Sequence, residues 1–392
     1  MVRHALLAVN TDVTHDPRVR RQIDWLTSEG WVVDTLGLGE HPTDQVRDHF
    51  ALAPVPNWMK TFVGAGVIHA LVPYKRRFGL LIRRRFPAEA TRRVRDGEYD
   101  LVLASDYHFV PWFGDTSTFP ADRKVAHVHL DLHEWFPPNL PTYVRGYQII
   151  RPYHRWMRRF FAHPVVDTRS VAGATAGFYV EEFGFDEPIL VRNMPPREDL
   201  SPSPVDPERI ELIHHGLASW IRGFREMVDA MPLVDERFVL TFMLNGPSEM
   251  IDELRAYIEP QKERIRIVPP VPMRALARSI NPFDVEVMFF PPVTENLMWT
   301  LPNKLFEAIQ GRLALVTGPT LLMQQAVEEY GNGVVTEGWT PRALADAINS
   351  LDAESVTRMK LASDVAAETA NAEREKYTFF RSIGFPVEDT VS

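Results

Sequence analysis

The sequence predicts an α/β protein with two doubly wound, Rossmann-like domains that face each other across a cleft. Three observations support this fold class. Short apolar runs alternate with longer stretches of helical period along most of the 392 residues, a pattern typical of parallel α/β architecture. The chain is longer than one ordinary domain. A proline-rich stretch at residues 193–209 interrupts the alternation and can continue neither a helix nor a central strand.

The first half opens with an apolar run and a well-marked helix, predicted at residues 17–29. Pro17 stands at a first-turn position, Asp16 precedes it as a cap, and Gly30 follows the helix. The strands predicted in this half are 4–9, 31–36, 101–104, 124–130, 164–166 and 189–192.

The second half repeats the alternation after the proline-rich stretch. Its predicted strands are 210–214, 238–244, 265–268, 285–290, 313–316 and 333–335. Its predicted helices include 224–231, 273–280, 301–309 and 341–351. We therefore expect domains at 1–195 and 205–372, and ligands at the carboxyl ends of their strands.

The composition excludes several classes of protein. There is no cysteine, so disulfides, thiolate metal sites and a cysteine nucleophile are excluded. A net charge of -9 argues against a general nucleic-acid binder. No run approaches the roughly 18 apolar residues of a membrane span. We expect a cytoplasmic protein.

The charge is unevenly distributed. Residues 1–200 carry 25 Lys and Arg against 24 Asp and Glu, whereas residues 201–392 carry 18 against 28. Nine basic residues fall between Tyr74 and Arg95. Basic residues near an anionic leaflet are worth about 1 kcal/mol each, so residues 59–95, which also contain apolar positions, suggest a peripheral contact with the cytoplasmic membrane face. A solvated cationic surface explains them equally well.

The clearest chemical signal follows the strand predicted at 285–290. A loop containing Glu295 leads to a helix that opens with Asn303 and Lys304 and carries Glu307 one turn later. The free amides of a helix start, beside a lysine, form an anion site, and an acid there can accept hydrogen bonds from ribose hydroxyls. The alternative is an ordinary helix whose polar residues face solvent.

A second loop supports the anion site. The strand predicted at 210–214 runs into Gly216, and Arg222 lies just before the helix predicted at 224–231, where a guanidinium could meet a diphosphate. Two such loops in one domain predict a single nucleoside diphosphate.

At this point the chain resembles glycosyltransferase family 4, retaining enzymes of the GT-B fold. The resemblance rests on Leu301-Pro302-Asn303-Lys304-Leu305-Phe306-Glu307 with Gly311, on residues 328–335, and on Asp16-Pro17-Arg18-Val19 with residues 25–34. It implies that Glu307 holds the donor ribose and that Arg222 and Lys304 neutralise the leaving diphosphate. It also implies a terminal helix, residues 373–388, that packs on the first domain.

Two positions depart from the family pattern. Leu217 stands where the family often has an arginine, which removes one group from the diphosphate clamp. Trp299 stands where the common pair of glutamates would need an acid, so Glu295 and Asn296 are candidate substitutes for reading the donor sugar.

A histidine and two acids follow the strand predicted at 124–130 and look like the family's Asp-x-His-Glu loop. We predict His133 as the catalytic group that orients acceptor or donor sugar, with Asp131 and Glu134 as supporting groups. The alternative is that the acids cap a turn and hydrogen-bond to the histidine.

Three further residues are expected on the acceptor side: Asp12 and His15, which follow the first strand, and His129. A rival reading comes from His127, His129, Asp131 and His133, which alternate and could share a metal. The pattern resembles the His-x-His-x-Asp-His motif of metallo-β-lactamase-like hydrolases, but one extra residue breaks the register.

The sequence thus predicts a retaining glycosyltransferase that moves a sugar from a nucleoside-diphosphate sugar to an unknown acceptor. No metal cofactor is expected, because no Asp-x-Asp pair is present. The alternatives are a sugar-nucleotide epimerase, a silent nucleotide-binding relative and, less favoured, a metal-dependent hydrolase.

Overall fold

A computed structural model gives the fold of the chain. It describes residues 2–55, 57, 67–68, 71–105, 107–132, 155–161, 163–172, 180, 186, 188–293, 295–299 and 301–388, of which 81, 107, 295 and 296 are described for the backbone alone. The chain divides into two compact units, Met1–Asn193 with Lys376–Ser392, and Met194–Glu375. The proline-rich stretch therefore belongs almost entirely to the second unit.

A parallel sheet forms the core of the first unit. Its strands in the described part of the chain are β1 (His4–Asp12), β2 (Val32–Leu38), β3 (Val46–Ala51), β4 (Leu101–Ser105), β5 (His127–Leu132), β6 (Thr168–Val171) and β7 (Ile189–Leu190). They lie in the order β3-β2-β1-β4-β5-β6-β7. The order reverses between β1 and β4, and such a switch point is where doubly wound sheets bind ligands.

The first unit also contains α1 (Pro17–Ser28), α2 (Tyr74–Leu81) and α3 (Ala88–Asp96). The predicted start of α1 is confirmed, because the Asp16 side chain accepts hydrogen bonds from the amides of Arg18 and Val19 and Pro17 opens the helix. This cap satisfies two amides that have no partner within the helix.

The second unit is built on a second parallel sheet. Its strands are β8 (Ile210–Leu217), β9 (Phe238–Asn245), β10 (Ile265–Val268), β11 (Val285–Met288), β12 (Ala314–Thr317) and β13 (Gly333–Val335), in the order β10-β9-β8-β11-β12-β13. Its helices are α4 (Phe224–Ala230), α5 (Ser248–Ile258), α6 (Leu276–Ile280), α7 (Glu295–Met298), α8 (Asn303–Gln310), α9 (Leu321–Tyr330), α10 (Pro341–Asn349) and α11 (Ala353–Ala367). The switch point of this sheet lies between β8 and β11.

The last helix, α12 (Ala372–Ser382), begins in the second unit and ends in the first. Its aromatic residues contact the first unit: the ring centroids of Phe379 and Trp25 are 5.2 Å apart. Phe385, just beyond the helix, meets Trp31 edge-on at 5.0 Å. The terminal segment therefore completes the core of the first unit.

Three predicted strands differ from the structure. Residues 164–165 form a turn rather than a strand, and the neighbouring strand is β6. The strand predicted at 285–290 ends at Met288, three residues before the first of two consecutive prolines. Asp131 lies inside β5 rather than after it. β3 was not predicted, since as an edge strand it pairs with β2 alone and is largely polar.

Within the described residues, no helix combines the length and the apolar character that crossing a bilayer requires.

Candidate functional site

The site in the second unit is assembled where β8 ends. β8 pairs with β9 on one side and β11 on the other, and its last residues are His214, His215, Gly216 and Leu217. Helix α8 begins nearby at Asn303, after Pro302 in the cap position, which contributes no side-chain hydrogen bond. Lys304 of this helix contacts both histidines, and Glu307 contacts His215. The switch point thus brings together groups from three elements.

Lys304 is buried between the two histidines and helix α8. Its ammonium donates to the carbonyl oxygen of His215 and lies 3.3 Å from Nε2 of His214. Burial lowers the pKa of Lys304 to about 8, and the nearby Arg222 adds to the effect while two acids oppose it. An anion that binds beside such a buried ammonium stabilises its charged form.

Arg222 and Lys304 share the ring of Phe290. The guanidinium carbon lies 5.8 Å from the ring centroid and the ammonium lies 4.8 Å from it. Burial lowers the pKa of Arg222, and its side chain forms no hydrogen bond or ion pair with any residue that the structure describes. Two cations lie against one aromatic ring, and neither forms an ion pair with an acid that the structure describes, so together they form a site for an anion.

His215 lies between two carboxylates. Nδ1 is 2.9 Å from Oε2 of Glu286, and Nε2 is 2.9 Å from Oε2 of Glu307. Burial alone would lower the pKa of His215, but Glu286 and then Glu307 outweigh it and raise the value to about 9. At neutral pH the imidazole is therefore a cation that donates to both acids.

Gly216 separates this cluster from the loop that follows β8. Its φ of +124° is a conformation that residues with a side chain rarely adopt. A Cβ at this position would lie 3.0 Å from the ammonium of Lys304. The glycine therefore allows the backbone to pass directly over the lysine.

The remaining donor-side candidates are less informative. Asn303 is the first residue of α8 and is half-buried. Glu295 begins the short helix α7, and its side chain lies outside the described part of the structure.

In the first unit, Asp131 belongs to a buried network. Its carboxylate accepts two hydrogen bonds from the Arg18 guanidinium, at 2.8 and 2.7 Å, and others from Gln22 and Ser170. Arg18 also donates to the carbonyl oxygen of Val191. Both oxygens of Asp131 are bonded to buried donors, and its role as a supporting group to His133 stays a prediction.

His129 is fully buried beside that network. Since the Ser170 hydroxyl donates to Asp131, its oxygen accepts from Nε2 of His129 at 2.8 Å, and Nδ1 then accepts from the Thr168 hydroxyl at 2.6 Å. Burial lowers the pKa of His129 to about 3, so the ring is neutral. His129 is therefore held within the core in this structure, and its acceptor-side role stays a prediction.

The rival metal site gains no support from these contacts. Both ring nitrogens of His129 are bonded to hydroxyls, and Asp131 is bound to Arg18. Among the described residues, no three His, Asp or Glu side chains form a group that could hold a metal. His133 and Glu134, the main catalytic candidates, lie outside the described residues.

Asp12 and His15 are the accessible acceptor-side candidates. Asp12 ends β1 at the switch point of the first sheet, and its carboxylate accepts from the amide and hydroxyl of Thr14. These bonds, followed by the contact with His15, lower the pKa of Asp12. The His15 side chain is 84% exposed, 3.2 Å from that carboxylate. Both residues can contact a ligand without disrupting the core.

Most of the basic residues between Tyr74 and Arg95 interact with other parts of the protein. Six of its nine basic residues are buried or paired with acids: Arg77, Arg83, Arg85, Arg92, Arg93 and Arg95. Lys75, Arg76 and Arg84 remain exposed. Membrane contact through this stretch stays a prediction that depends on these three.

Sequence reasoning missed four members of the site in the second unit. The sequence predicts His214 as the last residue of a strand, His215 in the loop after it and Phe290 as a strand residue, and it assigns no function to these three. Glu286 carried a usable signal, because a charged residue inside an apolar buried strand requires a partner.

The second unit matches a known family by sequence. A sequence model for the family described as "Glycosyl transferases group 1" matches residues 209–353. A search of curated proteins finds no match.

Solved structures match the whole chain. HepE from Anabaena, crystallised with UDP, has a TM-score of 0.69 at 13% identity and covers 98% of this chain and 100% of its own. Sucrose-phosphate synthase from Thermosynechococcus elongatus has a TM-score of 0.68 at 14% identity and covers 97% and 98%. The Escherichia coli protein crystallised with UDP-2-fluoro glucose has a TM-score of 0.68 at 10% identity and covers 98% and 99%.

The fold and the matched segment together define the class: the chain has the GT-B fold, and residues 209–353 match a glycosyltransferase domain. Its finer placement in family 4 remains a prediction.

Proposed function

We propose that this chain transfers a sugar from a nucleoside-diphosphate sugar and binds that donor at the end of β8. The observation that carries the proposal is the pair of cations, Arg222 and Lys304, on the ring of Phe290. A diphosphate would supply the negative charge that Arg222 lacks within the described part of the protein. The crystallisation of similar folds with UDP and a UDP-sugar analogue makes UDP the first nucleotide to test.

Glu307 is proposed to hold the donor ribose. One carboxylate oxygen accepts from His215, and the other has no hydrogen-bond partner among the described residues. The side chain is 16% exposed, so one oxygen can accept from ribose hydroxyls while the other stays anchored. Gly216 would let the diphosphate approach the backbone closely.

The proposed reaction proceeds with retention at the anomeric carbon, as the Leu301–Glu307 motif suggests. As the bond between the sugar and the diphosphate breaks, negative charge collects on the leaving phosphate, and Arg222 and Lys304 stabilise it. The acceptor oxygen bonds to the anomeric carbon on the face from which the diphosphate leaves, and the leaving phosphate takes the proton of the acceptor hydroxyl. The acceptor remains unassigned.

A nucleotide panel tests the donor site. Thermal unfolding is measured with UDP, GDP, ADP and dTDP for the wild type and for Arg222→Ala, Glu307→Ala and Arg274→Ala. Arg274 is an exposed arginine of the same unit and serves as the matched control. We expect one nucleotide to stabilise the wild type and the control, by about 2.7 kcal/mol at one hundred times Kd, and both site variants to lose the effect. No stabilisation by any of the four would contradict the proposal.

Retention is tested separately by NMR of the products. Incubation with the UDP-sugar whose nucleotide binds, and with simple sugar acceptors, should give a product whose anomeric coupling matches that of the donor. An inverted product would overturn retention but not the donor site.

A further inference from the structure

His215 links the interior of the second sheet to the ligand side of α8. Glu286 of β11 is fully buried and contacts His215 twice, once at the backbone amide at 3.3 Å and once at Nδ1 at 2.9 Å. The opposite ring nitrogen reaches Glu307, which alone of the three is partly exposed. The three side chains thus form a line from the core to the surface.

The protonation of His215 determines whether this line is complete. An imidazolium has two N–H donors and serves both carboxylates, whereas a neutral imidazole has one donor and leaves one acid unbonded. Glu286 is held by two contacts and Glu307 by one. Deprotonation therefore releases Glu307, the acid that faces the ligand.

We propose that His215 is a positioning residue for the donor: anchored by Glu286, its imidazolium holds one oxygen of Glu307 and so orients the other toward the ribose. This inference rests on the proposed function, because it assigns the ribose to Glu307. It predicts that His215 and Glu286, which are both buried, affect affinity through the ribose hydroxyls alone.

Other titratable and charged groups lie around His215. Their effects on UDP affinity must be distinguished from the effect of His215. Lys304 of α8 donates to its carbonyl oxygen, His214 precedes it on β8, and Arg222 lies beyond the strand. Burial keeps His214 neutral, since it lowers the pKa of that group well below its ordinary value. The pKa of Lys304 is lowered to about 8 and that of His215 is raised to about 9. The titrations of the two groups therefore overlap.

The test compares UDP with 2′,3′-dideoxy-UDP, which lacks both ribose hydroxyls. Affinities are measured by calorimetry at pH 7 for the wild type, His215→Gln, Glu286→Gln and Glu263→Gln, an exposed acid of the same unit. We expect His215→Gln and Glu286→Gln to weaken UDP by about tenfold to a hundredfold, the range for a hydrogen bond to a charged group. The affinity for the dideoxy nucleotide should change by less than about twofold.

A pH series supplies the second readout. In a Lys304→Met background, UDP affinity should fall as pH rises through about 9, and Glu286→Gln should move that fall to lower pH because His215 loses its stronger partner. Selective ¹⁵N labelling of histidine, with His215→Gln to identify the signal, should show an imidazolium at pH 8.

Four outcomes overturn the inference. Equal losses for UDP and the dideoxy nucleotide would mean that His215 supports the fold or the diphosphate rather than the ribose. Unchanged UDP affinity in both variants would mean that Glu307 needs no support. A neutral His215 at pH 8 would contradict the proposal, because a neutral imidazole cannot donate to both carboxylates. Failure of the wild type to bind any nucleoside diphosphate would overturn the proposed function as well, which distinguishes the two failures.

Discussion

Nε2 of His214 lies 3.3 Å from the ammonium of Lys304. Nδ1 of the same ring lies 2.7 Å from the carbonyl oxygen of Val287, so Nδ1 carries the proton and Nε2 accepts from the lysine. Burial, together with the charge of Lys304, lowers the pKa of His214 and keeps the ring neutral. Two consecutive residues of β8 therefore contact the two ligand-side groups of α8, His214 contacting Lys304 and His215 contacting Glu307.

Replacing Lys304 with methionine should weaken UDP binding about tenfold to a hundredfold, because one charge-assisted contact to the diphosphate is lost. The phosphate of UDP is ionised above its second pKa of about 6, so it contributes no titration step near pH 8. Burial lowers the pKa of Lys304 to about 8. The wild-type affinity should accordingly fall as pH rises through 8, and calorimetry should find that step missing in the variant.

The control for this change is Lys262→Met, which removes an exposed lysine of the same unit. It should bind UDP as the wild type does. A pH step near 8 that persists in Lys304→Met would assign the step to another group.

Replacing Gly216 with alanine should lower both stability and nucleotide affinity. The new Cβ would occupy a left-handed backbone conformation and lie 3.0 Å from the ammonium of Lys304. Such strain costs roughly 1–3 kcal/mol, and relief by moving the lysine would displace the charge that meets the diphosphate. Thermal unfolding with and without UDP measures both effects.

Gly338→Ala is the matched control, because a Cβ there meets nothing within 4 Å and the φ is ordinary. It should be neutral or slightly stabilising. If Gly216→Ala behaved like this control, the close passage of backbone over lysine would have no functional consequence.

Asp131→Asn should destabilise the first unit strongly. The substitution removes the charge of the carboxylate that the buried Arg18 guanidinium contacts, and breaking a buried ion pair from one side typically costs about 3–5 kcal/mol. The midpoint of urea-induced unfolding should fall accordingly, whereas exposed Asp122→Asn should leave it unchanged. A stable Asp131→Asn protein without transferase activity would instead support the catalytic role that the sequence suggested.

Binding to anionic vesicles through residues 59–95 should depend on Lys75, Arg76 and Arg84. These cations are exposed and stand close in sequence to the exposed apolar residues Val67 and Leu71, a combination that favours an anionic leaflet. Changing all three to glutamine should abolish sedimentation with vesicles containing phosphatidylserine, while replacing the acid-paired Arg92 alone should not. Equal binding to neutral and anionic vesicles would refute an electrostatic contact.

The alternation of apolar runs was enough to predict two parallel α/β sheets, and the fold of similar structures confirms that class. The start of α1 followed from Asp16 and Pro17, and the start of α8 followed within two residues from Pro302. These are local properties, because periodicity and caps depend on neighbouring residues. Anion-binding residues at a helix start were predictable for the same reason.

The partners of the buried polar groups depended on the tertiary structure. Arg18 and Asp131 are separated by 113 positions, and His215 and Glu286 by 71. Such pairs meet because strand order and register bring particular strand ends together, and no local pattern records that order. The sequence by itself therefore determined the architecture and the chemistry of α8, whereas only the tertiary structure assigned Asp131 and His129 to the core and placed His215 between two acids.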